Sequence, residues 1–508
     1  MTRNESLSGR LARRGFADAG KAAELVAEWA HWGSADQIEL ALVELPGCAD
    51  PDLALTGFDR LLRARPDLLA ELESHPGFTS RICAVLGSSA ALNQHLGAHP
   101  DDAEVLKGSI ERRTLAELRR ELLEAVGADA DIDEPVADPS QSDALRRAYR
   151  RALLRIAARD LCAPDPLVEL PEVVGELADL ADATVECALA LARGEVPGWE
   201  QCRLGIIALG KTGARELNYV SDVDVLYLAE PAMHADGTPA CDSGTAITIA
   251  NRLASALSRV CSAHTAAGTI WPIDAALRPE GKAGPLVRTL ASHRAYYEKW
   301  AKNWEFQAML KARPMAGDLT LAQEFVDMIW PMVWRVADND QFVGEVQAMR
   351  KRVISLLPPK ESQVEIKLGA GGLRDVEFTV QLLQLVHGRA DERLRLRGTF
   401  EALTALVDHG YVGRADGHDL GTAYRLQRLL EHRVQLYRLR RTHLMPTDEA
   451  NQRWLARSVG LSETRELMQV WRSTTRRVLN LHQRMFYSPL LETVARIPSA
   501  QVRLTPEA

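Results

Sequence analysis

At 508 residues, 46% hydrophobic and 26% charged, the chain is too long for one ordinary core and asks for two or three domains. Lys and Arg number 61 against 69 Asp and Glu, a formal net charge of −8, so there is no global basic field to gather nucleic acid and no nucleic-acid partner is expected. The opening MTRNESLSGRLARRGF lacks the apolar run of a signal peptide, and no later segment approaches the roughly 20 apolar residues of a membrane span. The expectation is therefore a cytoplasmic protein without a membrane partner.

Residues 1–127 read as short amphipathic helices broken at Pro46, Pro66 and Pro100, a helical region without visible chemistry. The acidic stretch ADADIDEPVADPSQS, 128–142, has two prolines and few large apolar residues and reads as a linker. Residues 143–345 form the expected catalytic domain. It opens on a helix with Leu145, Tyr149, Leu153 and Ile156 in one stripe and Arg147, Arg151, Arg155 and Arg159 opposite, a basic face read as solvated rather than as a phosphate or acid binder. Short strands follow at LGIIALG (204–210), at DVDVLYLAE (222–230) and within TIWPIDAALRP, with a helix capped near Asp242 or Ser243 between the last two. Residues 346–508 read as a helical bundle domain, in which Leu467, Val470, Trp471, Val478 and Leu481 share one face. The fold class is α+β: a mixed-sheet module flanked by helical regions. Seven cysteines, scattered and without a C-x-x-C, read as reduced core thiols.

Chemistry concentrates between 210 and 278. Asp222 and Asp224 are two apart on a strand and share a face, where their repulsion is relieved by a hard divalent cation such as Mg²⁺. A third carboxylate, Asp274, alternates with apolar Ile273, Ala275 and Leu277, so Asp274, Ala276 and Arg278 share a polar face by period two, with Arg278 suited to phosphate. The turn Gly210-Lys211-Thr212-Gly213 follows a strand and lets backbone N–H groups approach a phosphate chain. GIIALGKT formally matches a P-loop, but its four middle residues are the strand itself, so the match is rejected. Lys311 and Arg313 in MLKARP are phosphate-binding candidates, balanced against ordinary solvated cations. Arg374, Glu377, Gln381 and Gln384 make one polar ribbon on an otherwise apolar helix, which is expected to face the cleft or a domain interface.

The run G-K-x-G-x-x-E-L-x-Y-x-S-D-x-D (210–224) followed by D-x-x-L-R-P-x-G (274–281) resembles the bifunctional glutamine synthetase adenylyltransferase/adenylyl-removing enzymes. The likeness continues through WAKNWEFQAMLKARPMAGD (300–318), IKLGAGGLRDVEFTVQLLQLVHG (366–388) and YRLQRLLEHRVQLYRLRRTHLMP (424–446), and covers roughly residues 143–446. One departure is Ala214, where the family usually has a second glycine. The resemblance implies a nucleotidyltransferase fold related to DNA polymerase β and kanamycin nucleotidyltransferase. It implies that Asp222, Asp224 and Asp274 are the carboxylates of a two-Mg²⁺ site, with Gly210, Lys211, Gly213 and Ser221 on the nucleotide or phosphate. Family members carry two catalytic halves, whereas this chain has one copy of the motif and so looks like one half. Its start at Met1, the helical region before the motif, and Asn218 favour the adenylyl-removing half. The implied reaction is phosphorolysis of AMP-tyrosine on glutamine synthetase to ADP and free tyrosine, a control on nitrogen assimilation. The implied partners are glutamine synthetase, phosphate, ADP and a PII-type signalling protein. The alternative is adenylyl transfer from ATP to the synthetase; a P-loop ATPase and a catalytically inactive scaffold rank lower.

Overall fold

The sheet forms around two strands that are apolar on both sides. β1 (Cys202–Ala208) pairs antiparallel with β2 (Val223–Pro231), and the two alternate with period two between different cores. Leu204, Ile206 and Ala208 of β1 and Val223, Val225, Tyr227 and Ala229 of β2 enter one apolar core, while Ile207, Leu226 and Leu228 enter another. Both faces are therefore covered by helices, as such apolar strands require. The computed structural model describes residues 6–496; the remaining ends of the segments 1–127 and 346–508, Met1 among them, lie outside the described residues.

Three short strands complete a mixed sheet: β3 (Ile273–Asp274) and β4 (Val287–Arg288) run parallel to β2, and β5 (Arg313–Gly317) antiparallel to β1. The order is β3-β2-β1-β5, with β4 also on β2. The two longer strands fall within two residues of their expected places, and the helix Ser243–Ser262 is capped by Asp242, whose carboxylate accepts from Thr245 N. The third expected strand is much shorter than the sequence pattern. Asp274 Oδ1 accepts from Ala276 N at 2.7 Å, and Arg278 N donates to the Ala275 carbonyl, so the chain turns after Asp274. Ala276 and Arg278 thereby leave the face they were expected to share with Asp274.

The first core gathers the helices of residues 7–125, the helices Ser142–Cys162, Pro166–Glu195 and Ser243–Ser262, and one sheet face. The second gathers the other face with the helices Leu319–Val333, Leu373–His387, Arg414–Arg438 and Thr464–Phe486. Neither core breaks at the residues where the sequence pattern divides the chain: Val126, Ala128, Ala137 and Leu145 share the first, and Val343 and Val346 the second. In the helix Ser142–Cys162, Arg147 and Arg151 are exposed, but Arg155 and Arg159 are not part of a solvated face. They are covered by the neighbouring helices and pair with Glu121 and with Glu169 and Glu176. All seven cysteines are free thiols, and burial raises Cys48, Cys202 and Cys261 to about 12. Among the described residues no helix is long and apolar enough to cross a membrane.

One buried ion pair ties the two halves of this architecture. Arg433 of the helix Arg414–Arg438 donates from Nη2 to Asp160 Oδ1 at 2.9 Å, and Tyr219 donates its hydroxyl to Asp160 Oδ2 at 2.8 Å. Arg433 and Asp160 are each 1% exposed. Asp160→Ala is expected to strand the guanidinium and cost about 3–5 kcal/mol of stability, read as a lowered denaturation midpoint at unchanged slope; a change below about 1 kcal/mol would mean that the pair is not desolvated.

Candidate active site

β2 places Asp224 on the face that otherwise carries Leu226 and Leu228, so a carboxylate stands where the sheet meets the second core. β3 adds Asp274 directly opposite, in register with Asp224, and Asp222 lies just before the strand begins. The three carboxylates line one cleft of about 390 Å³. Its other walls carry Lys211, Lys311, Lys367, Arg374 and Arg441, and an apolar set formed by Leu277, Trp304, Ala308, Met349 and Phe378.

Electrostatics follow from this crowding. Burial, and then the neighbouring Asp274 and Asp222, raise the Asp224 carboxyl from 3.8 to about 6. Glu377 behaves in the opposite way: its burial favours the neutral acid, but Arg374, Lys311, Lys211 and Lys367 outweigh this and hold it at about 2. Lys211 is drawn down to about 7, chiefly by burial and against the pull of Glu431.

The glycine turn is shaped by lack of space. Gly210 has φ +56°, and a Cβ there would lie 2.2 Å from Asp224 Oδ2; one at Gly213 would lie 2.1 Å from the Lys311 carbonyl oxygen. The turn is thus pressed between the strand carboxylate and the segment leading into β5. Lys211 Nζ donates to Glu431 Oε2 at 2.9 Å and to Asn218 Oδ1 at 3.3 Å. Arg428 Nη2 donates to the same Asn218 oxygen at 2.7 Å, and His443 Nδ1 lies 2.9 Å from Glu431 Oε1. Gly205 is interior to β1 and opens no phosphate loop, and Lys211 is held by Glu431, which agrees with rejecting the P-loop.

Most of the residues singled out in the sequence come together: Gly210, Lys211, Ser221, Asp222, Asp224, Asp274, Lys311, Arg374 and Glu377 all line the cleft. Three do not. Gly213 packs beneath the Lys311 carbonyl. Arg278 braces its own loop, donating to the carbonyls of Ala275, Lys282 and Gly284, and lies on an adjoining groove. Arg313 is buried against Asp182, with Nη2 2.9 Å from Oδ1, and donates to the Thr212 carbonyl. Both guanidinium groups are thus engaged by partners within the protein, Arg278 in the turn after β3 and Arg313 on β5, rather than turned into the cleft. On the helix Leu373–His387, Arg374, Glu377 and Gln381 face the cleft, whereas Gln384 turns away to the carbonyls of Leu394 and Leu396. Lys367, Arg441, Trp304, Gln307 and Glu431 were not singled out; each comes from a segment quoted for the resemblance, but only the fold shows which of its residues face inward.

Among the described residues no group of three His, Cys, Asp or Glu side chains is drawn together so as to enclose a metal as it stands. Asp222 is paired with Arg441, and one oxygen of Asp274 accepts from Ala276 N. The donor set nonetheless fits hard divalent cations: three carboxylates reach one cleft, and their mutual repulsion is already evident at Asp224.

Residues 79–328 match the family model described as glutamate-ammonia ligase adenylyltransferase, and residues 347–486 match that of GlnD PII-uridylyltransferase. Among curated proteins, the bifunctional glutamine synthetase adenylyltransferase/adenylyl-removing enzyme of Cutibacterium acnes is 52% identical over 100% of this chain and 52% of its own length. Those of Streptomyces avermitilis and Mycolicibacterium smegmatis are 49% and 45% identical, over 100% and 91% of this chain and 49% and 46% of their own lengths. The chain belongs to this family. It spans about half the length of the curated relatives it matches. The two family-model matches meet at the cleft, since the aspartates lie in the first and Lys367, Arg374 and Arg441 in the second.

A raised carboxyl makes a signed prediction. Asp224 in the folded chain keeps its proton above the 3.8 at which the unfolded chain loses it, so stability is lost as pH rises from about 4 to about 6. In chelator-treated buffer Asp224→Asn is expected to match the wild type below pH 4, to gain in melting temperature across pH 4–6, and to keep that gain above. A variant that melts lower than the wild type at pH 7 would show that the charged carboxylate is stabilised in the folded chain.

Proposed function

We propose that this chain removes AMP from the adenylylated tyrosine of glutamine synthetase by phosphorolysis, as the adenylyl-removing half of its family, with Mg²⁺ as cofactor. The observation that carries the reading is the cleft itself, in which three carboxylates face five cationic side chains. A phosphate oxygen attacks the adenylyl phosphorus, the bond from phosphorus to the tyrosine oxygen breaks, and the products are ADP and tyrosine. Asp222, Asp224 and Asp274 would hold two Mg²⁺ ions, which when bound neutralise charge on the transferring phosphoryl group. Lys311, Lys367 and Arg374 provide the positive wall for the incoming phosphate and the adenylyl group. No general base is needed, because phosphate is already an anion, and the buried Glu431 is committed to Lys211 rather than free to take a proton. Asn218 ties Lys211 to Arg428 beneath the cleft as a positioning residue, and its likeness to the residue of the removing half supports that direction. Glutamine synthetase is the protein substrate in this reading, and the match of residues 347–486 to a PII-uridylyltransferase model supports a PII-type protein as a regulatory partner.

The test is incubation with adenylylated glutamine synthetase, Mg²⁺ and phosphate. ADP is expected to form at a rate that rises with phosphate and saturates, and ATP is expected to leave unmodified synthetase unchanged. Asp224→Asn should lower the rate on the order of 10²-fold or more, the usual size of losing one electrostatic stabiliser. AMP transfer from ATP with release of pyrophosphate, and no phosphate-dependent ADP, would assign the opposite direction.

A further inference from the structure

Two short helical stripes line the cleft beyond the charged groups. Trp304, Gln307, Ala308 and Lys311 follow one another at helical spacing on and just after the helix Asn303–Met309, and Arg374, Glu377, Phe378 and Gln381 do so on the helix Leu373–His387. The stripes run in opposite senses. Gln307 meets Gln381, its Nε2 donating to Gln381 Oε1 at 2.9 Å, while Lys311 acts on Glu377. The cleft therefore has a charged end and, one to two helical turns away, about 5–11 Å, an end made of two amides and an indole. Gln307 is 6% exposed, and its Oε1 has no hydrogen-bond partner among the described residues. Gln381 uses its Oε1 for the bond to Gln307, which leaves its Nε2 to donate. Trp304 is 42% exposed, a large apolar ring left at the rim.

We infer that the Gln307–Gln381 amide pair and the Trp304 ring form the subsite for the base of the adenylyl group and select a 6-aminopurine. The inference rests on the proposed reading of the cleft as an adenylyl site and adds where the base lies. The amide pair leaves an unpartnered acceptor, Gln307 Oε1, and an amide donor, Gln381 Nε2, after the bond between them is made. Adenine offers the complement, a 6-amino donor beside the N1 acceptor. Hypoxanthine reverses both, with a 6-oxo acceptor and an N1–H donor, and so leaves the buried Gln307 oxygen facing another oxygen. The Trp304 indole supplies a stacking surface indifferent to which purine is bound.

The test is calorimetric titration of the full chain with ADP and with IDP, both with Mg²⁺. The wild type is expected to bind ADP about ten-fold more tightly than IDP, the size of one bidentate base contact. Gln307→Leu should weaken ADP, relieve the oxygen–oxygen conflict with IDP, and so abolish the preference between them. Trp304→Ala should weaken both by about ten-fold with their ratio kept, and Trp304→Phe should restore them. The subsite is overturned if the wild type binds neither nucleotide, binds both alike or prefers IDP, or if the ratio survives in Gln307→Leu. Should that variant fail to fold, the wild-type ratio and the Trp304 pair decide on their own. Phosphate-dependent ADP release from adenylylated synthetase, measured on the same preparations, separates the two proposals. Base preference without ADP release removes the proposed reaction and keeps the subsite; ADP release without base preference removes only the subsite.

Discussion

Everything at the cleft depends on one electrostatic conflict: Asp224 occupies a sheet face built for apolar side chains, with two more carboxylates beside it. A desolvated charge next to like charges is unfavourable, and the fold answers it locally in two ways. A cationic wall gathers opposite the carboxylates. The chain also crosses the carboxylate edge with a residue that has no side chain, since anything larger at 210 would collide with the Asp224 oxygen. The same crowding that raises Asp224 also makes the carboxylate edge attractive to cations.

The helix Arg414–Arg438 is where the cationic side is organised. Arg428, Glu431 and Arg433 are all buried on it, and each reaches a different part of the catalytic module: Asn218 and the Glu216 carbonyl, Lys211, and Asp160. Buried pairs of this kind add little net stability over apolar packing but penalise any other docking of the helix, since a shift would leave several charges unpaired at once. The seam thus fixes the register between the glycine turn and the C-terminal helices, and with it the position of Lys211 in the cleft.

The legible part of this arrangement was what local periodicity encodes. Short apolar runs rich in branched residues placed β1 and β2, the two-residue spacing of Asp222 and Asp224 put both on one side, and helical spacing found the ribbon of Arg374, Glu377 and Gln381. Reasoning by period failed at Arg278, because an Asx-type bond from Asp274 to Ala276 N ends the strand before a second pleat forms. Arg313, weighed between a phosphate binder and a solvated cation, is neither in the cleft nor in solvent: it lies on β5, a strand too short and mixed to announce itself, and its guanidinium is claimed by Asp182, 131 positions earlier. Glu431 and Arg441 were hidden for the same cause. Their neighbours at 211 and 222 are brought to them by tertiary packing alone, and no local pattern encodes a contact 220 or 219 positions away.

That long separation also sets an order of events during biosynthesis. The aspartates leave the ribosome first, and Lys367, Arg374, Glu431 and Arg441 emerge only later, from the segment that completes the second core. Until then β1 and β2 can bury one face against the earlier helices, but their other face, with Asp224 on it, has the helix Leu319–Val333 for partial cover and, of the cleft's cations, only Lys211 and Lys311 as counter-charges. A nascent chain halted between the two segments would leave the second core without its later helices and Leu226 and Leu228 incompletely covered, a species open to capture by chaperones.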